Sequence, residues 1–307
     1  MTFLTGLLNS LPSAISQGLI WGIMAIGVYV TYKILDVADL TVDGSLCTGG
    51  ATCVILLVSG APMWLALLCA IIAGALAGLV TGLFITRFGI PAILAGILTQ
   101  LALYSINLHI MGFNTSSFSK SNLPISVDKY NLLVSSRYVR ELSLRNPILV
   151  VTIFVILTIA ILYWFFGTEL GSSIRATGAN VNMARAQGIN TDKNKVIGLI
   201  LSNSLVALSG ALLSQYQGFS DINMGRGAIV IGLAAVIIGE VIFSKIFKNF
   251  GLKLFACVIG AIIYYAVIQF VLKLGLSTDD LKLLTSVVVA IFLAIPYWKS
   301  KYSKGGK

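Results

Sequence analysis

The sequence predicts an all-α fold, that of a polytopic transmembrane helical protein, and three observations support this class. Hydrophobic residues make up 57% of the 307 positions, and charged residues only 10%, against about 25% in ordinary soluble domains. The apolar residues are gathered in runs of roughly 20, the length that crosses a hydrocarbon core. So few charges cannot cover a soluble protein of this size, which excludes a soluble enzyme, a nucleic-acid-binding protein and a disordered chain.

About nine apolar elements follow one another, and the pattern is compatible with eight to ten spans. We place them near residues 13–35, 45–60, 62–86, 90–112, 147–166, 195–217, 225–243, 252–273 and 281–298. The second element is short and is loosened by Gly49 and Gly50. It is therefore either a full span or a broken, re-entrant segment. We treat 1–307 as a single transmembrane domain.

Small residues indicate where helices approach closely. Gly74, Gly78 and Gly82 stand four positions apart in the segment GALAGLVTG. Because lipid does not push helices together, close contact between small faces is a main source of their association. The three glycines therefore predict a tightly packed helix face.

The distribution of Lys and Arg predicts the orientation in the membrane. The net charge is +10, and the chain ends in the basic tail KSKYSKGGK. If this C-terminus is cytoplasmic, thirteen Lys and Arg residues lie inside and eight outside, five of them in a long extracellular loop at 113–146. This bias follows the positive-inside rule. We therefore expect a multi-pass protein of the plasma or inner cell membrane, and no nucleic-acid partner.

A first polar segment, ILDVADLTVDGSLCTGG at 34–50, carries three acids between two apolar runs. These are Asp36, Asp39 and Asp43. A charge at membrane depth costs roughly 2.5–3.5 kcal/mol on insertion scales, so each should face water, protein or a substrate path. Two interpretations stay open: a solvated inner turn in which Asp39 or Asp43 caps the next helix, and a pore-lining segment at a helix break.

Isolated polar residues inside the spans are further candidates for a translocation path. Gln100 and Asn107 lie seven apart on one helix face, with Tyr104 between them. They either contact a passing substrate or form interhelical hydrogen bonds. Glu240 lies about a turn from the inner end of its span. It either snorkels to the interface or pairs with Lys245, or else it lines an inner gate or pairs with a basic group across a dimer.

A second polar segment, GTELGSSIRATGANVNMARAQGINTDKNK at 167–195, is too polar for a plain connector, and we expect a cytoplasmic coupling loop there. Asn180 or Asn182 can cap a short helix, and Gly188 is a natural helix stop.

The short helix of this loop is expected to present an apolar knob. We expect Met183 and Ala184 to be exposed and flanked by Arg185. Such a knob suits docking into a groove on a soluble partner.

Three stretches carry a resemblance to a known family. The segment GSSIRATGANVNMARAQGIN resembles the coupling segment of permeases from ATP-binding-cassette importers, of the branched-chain amino acid, ribose and nucleoside type. YKILDVADLTVDGSLCTGGA and GFSDINMGRGAIVIGLAAVIIGEVIF resemble a subgroup paired with lipoprotein-type binding proteins and often linked to aromatic amino acids. The resemblance covers roughly 14–297.

The resemblance implies a type II-importer-like permease and its partners. These are separate ABC ATPase subunits, an extracellular or periplasmic solute-binding protein, and a second permease copy in a homodimer or close heterodimer. Residues 180–188 would lie in the ATPase groove, with Arg175 and Arg185 near its acidic groups. The sequence contains no G-x-x-x-x-G-K-[ST] phosphate loop and no catalytic constellation. We therefore expect no enzymatic activity, cofactor or metal in this chain.

The leading hypothesis is the permease subunit of an ATP-driven importer of a small polar solute, with an aromatic amino acid as the candidate. Its candidate path residues are Asp39, Asp43, Gln100, Asn107 and Glu240. An ion-coupled secondary transporter using Asp39, Asp43 or Glu240 is the alternative. A membrane scaffold or sensor is a third hypothesis, but no loop exceeds about 34 residues, which disfavours a signalling domain.

Overall fold

The structure is a computed structural model. It describes residues 2–113, 118–127, 129, 130, 132–141, 143, 145–243 and 246–273, and seven separate positions between 283 and 294. Its helices in the continuous part are α1 (Thr2–Tyr29), α2 (Val42–Val58), α3 (Met63–Thr86), α4 (Ala92–Gly112), α5 (Pro147–Gly167), α6 (Glu169–Ala179), α7 (Val181–Ala186), α8 (Thr191–Gln217), α9 (Ala228–Phe243) and α10 (Phe250–Lys273). A π-helical turn, Val30–Ile34, continues α1, and Ser136–Arg140 form a 3₁₀ turn.

The expected count of about nine spans is not confirmed. Six described helical stretches are long and apolar enough to cross a membrane, and α2 and α9 are shorter apolar helices. Of the ninth expected element, 281–298, the structure describes only the seven separate positions, and the rest lies outside the described residues. The polytopic helical class is correct at this coarser level.

The chain also contains a small strand pair that the sequence analysis did not predict. Strand β1 (Asn122–Pro124) pairs antiparallel with β2 (Phe219–Asp221). Two further bonds attach the same loop to the helices: Tyr130 Oη donates to the carbonyl of Val58, and Leu133 N–H donates to Gln215 Oε1. The described part of 113–146 therefore covers one end of the bundle, called here the strand end; the end that carries α6 and α7 is called the α7 end.

The central contact joins α3 to α8, and the glycine prediction is confirmed there. A Cβ on Gly74 would collide with the carbonyl of Asn203, and one on Gly78 with the carbonyl of Leu199. A Cβ on Gly82 would lie 3.0 Å from Val196 Cα. The two helix backbones approach as closely as they do because these positions have no side chain.

Helix α2 begins half-way along the bundle. In the first turn of α2, Ser45 Oγ donates a 2.6 Å hydrogen bond to Asn203 Oδ1. Asn203 lies about 18 Å from the start of α8, since each helical residue adds about 1.5 Å. Residues 35–41 therefore return from the α7 end to mid-depth without helical structure. Of the two interpretations of the second element, the structure agrees with the broken segment.

Candidate functional site

Asp39 lies in the non-helical return before α2 and is fully enclosed by protein. Its Oδ2 accepts a 2.8 Å bond from Asn203 Nδ2, and its Oδ1 accepts a 2.9 Å bond from the N–H of Thr41. The same Asn203 receives the hydroxyl of Ser45. Asp39 is thus held in a polar network that ties α2 to α8, where both carboxylate oxygens have donors. It does not face the cavity described below.

Asp43, in the first turn of α2, caps a second helix that begins at depth. Its Oδ2 accepts a 2.9 Å bond from the N–H of Gly227, and its Oδ1 accepts a 2.9 Å bond from the N–H of Ile229. Both donors belong to the start of α9, where unpaired N–H groups carry partial positive charge. The helix that Asp43 caps is therefore α9, not its own helix α2 as one interpretation of the sequence expected.

A cavity of about 130 Å³ opens beside these two helix starts. The residues that line it come from α2, α4 and the segment after β2: Asp43, Gly44, Cys47, Gln100, Leu101, Tyr104, Asn107, Ile222 and Arg226. Three of the five path residues expected from the sequence, Asp43, Gln100 and Asn107, therefore surround a single space. We call this space the central cavity.

Two residues that line the central cavity carry polar groups without a partner or at its rim. Asn107 is only 1% exposed, its Nδ2 lies 3.5 Å from the carbonyl of Gly44, and its Oδ1 has no hydrogen-bond partner among the described residues. A buried acceptor without a partner costs about 1–3 kcal/mol, which a bound donor would recover. Arg226 supplies a positive charge at the exposed rim.

The helix that carries Gln100 and Asn107 has an unusual exposed face. On α5 the exposed side chains are apolar along most of the helix, among them Ile153, Ile156 and Ile161, with Tyr163 and Trp164 exposed near its end. On α4 the exposed face mixes apolar residues with Tyr104 and Ser105. Polar groups on an intramembrane face favour contact with protein or water over lipid.

Glu240 lies apart from the central cavity, at the α7 end. Its Oε1 is 2.8 Å from Lys33 Nζ, which belongs to the π-helical turn after α1. Both side chains are nearly half exposed and border another cavity of about 130 Å³. The pairing partner is thus on another helix of the same chain; Lys245, one of the expected partners, lies outside the described residues.

The expected short helix in the coupling loop is α7, and its boundaries follow the sequence signals. Asn180, rather than Asn182, is the N-cap: its Oδ1 accepts a 3.0 Å bond from the N–H of Met183. Gly188 follows the helix with φ of 78°, a conformation that glycine adopts without strain.

The expected exposure of this helix needs one correction. Met183 is 64% exposed, as expected, but Ala184 is only 2% exposed and packs inward. Arg185 is anchored to the start of α8: its Nε donates to Thr191 Oγ1 at 2.9 Å, and its Nη2 lies 3.4 Å from Asp192 Oδ1. Of the two residues expected to form the apolar knob, only Met183 is exposed.

Arg226 was not predicted from the sequence, and Tyr104 was noted only for its position between Gln100 and Asn107. A signal for Arg226 was present: it is a single charge between two glycines in MGRGA, directly before an apolar helix. Conversely, Asp39 and Glu240 were expected on the path and lie outside the central cavity. Arg175 lies on α6, 5.8 Å from the ring centroid of Phe250, and its pairing with an ATPase stays a prediction.

Six described helices long and apolar enough to span a membrane, a cavity lined by Asp43, Gln100, Asn107 and Arg226, and a capped helix exposed at one end are typical of a multi-pass membrane transport protein. The family described as "Branched-chain amino acid transport system / permease component" matches residues 10–296, and the chain belongs to it. The chain is therefore the permease subunit of an ATP-binding-cassette importer. The ion-coupled alternative is not favoured by this membership.

Individual relatives agree with the family. The chain is 41% identical over 287 residues to the tyrosine transport system permease protein of Clostridioides difficile, covering 94% of this chain and 91% of the relative. It is 29% identical to the autoinducer 2 import system permease protein LsrC of Yersinia pseudotuberculosis over 56% of this chain and 45% of that protein. Among solved structures, PsaBC from Streptococcus pneumoniae in complex with Fab shares the fold, with a TM-score of 0.51, 15% identity, and coverage of 96% of this chain and 94% of that one.

Proposed function

We propose that this permease imports an aromatic amino acid, with tyrosine as the leading candidate, and that the central cavity lies on its path. The substrate class is supported by the 41% identity to a tyrosine transport permease over nearly the whole of both chains. The single observation that carries the path assignment is the buried, unpaired Oδ1 of Asn107 beside Arg226 in that cavity.

The residues around the central cavity match the groups of an amino acid. The guanidinium of Arg226 suits a carboxylate, since its fork of N–H donors can bond both oxygens. The Oδ1 of Asn107 can accept an N–H from the ammonium group, and the nearby Asp43 supplies negative charge. Tyr104, on the exposed face of α4, offers a ring against which an aromatic side chain can pack. The cavity holds one end of such a molecule, and the rest would extend beyond α4.

We infer that a second copy of this chain packs near the polar face of α4 and completes the path. The face carries Tyr104 and Ser105 as well as the rim of the central cavity. A homodimer would place two such rims opposite each other around an axis. The apolar face of α5 would then remain in contact with lipid.

The remaining partners follow from the two ends of the bundle. We propose that the α7 end is cytoplasmic and that Met183, presented by the Asn180 cap and the Gly188 stop, enters a groove of the ATPase subunit. The buried side chain of Ala184 and the contacts of Arg185 with α8 hold α7 against the rest of the chain. The strand end would then face outwards and receive the solute-binding protein, and the C-terminus would be cytoplasmic. ATP hydrolysis would take place on the ATPase subunits.

The path assignment is tested by uptake of radiolabelled tyrosine into proteoliposomes that contain the permease, its ATPase and its binding protein. Asn107→Leu and Arg226→Gln are expected to lower the initial rate at least tenfold. Ser204→Ala is the control, because this hydroxyl lies outside the cavity and bonds only within α8. ATPase activity without binding protein should stay close to that of the wild type. Uptake of both variants at the wild-type rate would overturn the path assignment.

The substrate assignment has a separate readout. Unlabelled phenylalanine and tryptophan should compete with labelled tyrosine, whereas xylose should not. Uptake should require ATP inside the vesicles and should survive collapse of ion gradients. If an ion gradient alone drives uptake, the proposed ATP coupling is wrong.

A further inference from the structure

A third cavity, which is strongly basic, also lies at the α7 end, away from the central cavity. Its volume is about 440 Å³, and it opens between the end of α1, helix α6 and the start of α10. Four cationic side chains line it: Lys33, Arg175, Lys248 and Lys253. No carboxylate is among the described residues that line it, although Glu240 reaches Lys33 from the adjoining cavity.

The positive charge of this basic cavity is poorly compensated within the chain. Lys33 pairs with Glu240, whereas Arg175, Lys248 and Lys253 form no ion pair with any described residue. Like charges gathered around one concave space repel each other. An anion in the cavity would relieve it.

Arg175 is arranged to receive such an anion. Its guanidinium carbon lies 5.8 Å from the ring centroid of Phe250. A guanidinium that stacks on a ring keeps its in-plane N–H donors available, and a phosphate can accept two of them at once. Lys248 and Lys253, on either side of Phe250, add point charges that bind phosphate without fixed geometry.

The surroundings of the basic cavity favour a lipid as the source of the anion. It lies where α1 ends and α10 begins, at the boundary of two membrane-spanning helices. Tyr29, Ile34 and Phe250 form an apolar part of its lining beside the cations. A soluble anion makes no use of such neighbours, whereas acyl chains do, and basic pockets between membrane helices bind anionic headgroups.

We propose that the basic cavity binds the headgroup of an anionic phospholipid, with its acyl chains along the membrane-spanning parts of α1 and α10. The lipid phosphate would bridge Arg175 of α6 to Lys248 and Lys253. Because α6 leads directly into α7, the lipid would hold the coupling segment against α1 and α10. This role is independent of the solute that the permease carries.

The experiment measures the thermal stability of the purified full-length permease in a neutral detergent. We expect phosphatidylglycerol to raise the melting temperature by several degrees, and phosphatidylcholine or inorganic phosphate at equal concentration to leave it within one degree. Native mass spectrometry should show retained phosphatidylglycerol. The double variant Lys248→Gln with Lys253→Gln should lose both effects, and Lys193→Gln with Lys195→Gln, at the same end but outside the cavity, should keep them.

Each contrary result overturns the proposal in a different way. Equal stabilisation by phosphatidylcholine would show that only apolar contact matters, and equal stabilisation by inorganic phosphate would show a site for soluble anions. If no lipid stabilises the permease alone, and the double variant loses only its binding to the ATPase, the cations belong to a protein interface. The comparison among lipids uses the wild-type protein, so it stands even if the double variant folds poorly.

Discussion

The carboxylate of Asp43 accepts a 2.9 Å hydrogen bond from the backbone N–H of Gly227, 184 positions further along the chain. This bond joins the start of α2 to the start of α9, two helices that both begin inside the bundle. A carboxylate at a helix N-terminus satisfies N–H groups that would otherwise lack acceptors and interacts favourably with the helix dipole. The pair therefore fixes the relative position of the two walls of the central cavity.

We expect Asp43→Asn to lower the free energy of unfolding by about 1–2 kcal/mol. The substitution removes the negative charge and replaces one acceptor by an N–H donor that faces another N–H. Tyrosine uptake should fall as well, because the two walls of the central cavity are no longer tied together. The free energy is measured by denaturant titration in mixed micelles, and the uptake in proteoliposomes.

Asp36→Asn is the matched control, since it makes the same chemical change at an exposed position with φ of 55°, which asparagine tolerates. Equal destabilisation by the two substitutions would mean that net charge, not the cap of α9, accounts for the effect.

Substitution of Asn203 should also destabilise the start of α2 and the segment before it. Asn203→Leu removes the donor to Asp39 and the acceptor of Ser45. Because the carboxylate of Asp39 is buried, the loss of this donor is expected to lower the free energy of unfolding by about 1–3 kcal/mol. The control is Ser204→Ala, because the hydroxyl of Ser204 bonds only within its own helix, to Ile200. The same denaturant titration measures the free energy of unfolding of both variants. If Asn203→Leu loses no more stability than Ser204→Ala, the Asp39 network does not stabilise the fold.

Close packing of α3 on α8 leads to a third prediction. Gly78→Leu places a side chain against the carbonyl of Leu199, and overpacking of this kind costs about 1–3 kcal/mol or more. We expect a reduced yield of folded protein in size-exclusion chromatography. Leu76→Val, on the exposed face of the same helix, should leave the elution profile unchanged. A Gly78→Leu protein that elutes like the wild type would show that the contact adjusts easily.

The fold was predictable wherever a local signal was strong. The apolar runs placed most helices within a few residues, and the spacing of Gly74, Gly78 and Gly82 identified the face that packs on α8. The strand pair was not predictable, because Asn122–Pro124 and Phe219–Asp221 are three-residue segments without alternation, and their pairing depends on contacts nearly a hundred positions apart.

The candidate site was predictable only in part. Gln100 and Asn107 share a helix face by their spacing, and the structure places both on the central cavity. The different environments of Asp39 and Asp43 could not be predicted. The two residues are four positions apart, and nothing in the sequence indicates that one binds Asn203 whereas the other caps α9. Ala184 was expected to be exposed but is buried against the rest of the chain, a tertiary contact that the sequence of a short helix does not show.

The corrected geometry of α7 changes the substitution that best tests coupling. A charge at Ala184 would disrupt the fold, because that side chain is buried, whereas Met183 projects from the surface. We expect Met183→Glu to lower ATP-dependent uptake at least fivefold while the melting temperature of the permease stays unchanged. Met183→Leu, which keeps the apolar character, should retain most of the activity. Co-purification with the ATPase subunit provides a second measurement, and wild-type uptake by Met183→Glu would show that this helix does not transmit the ATPase movement.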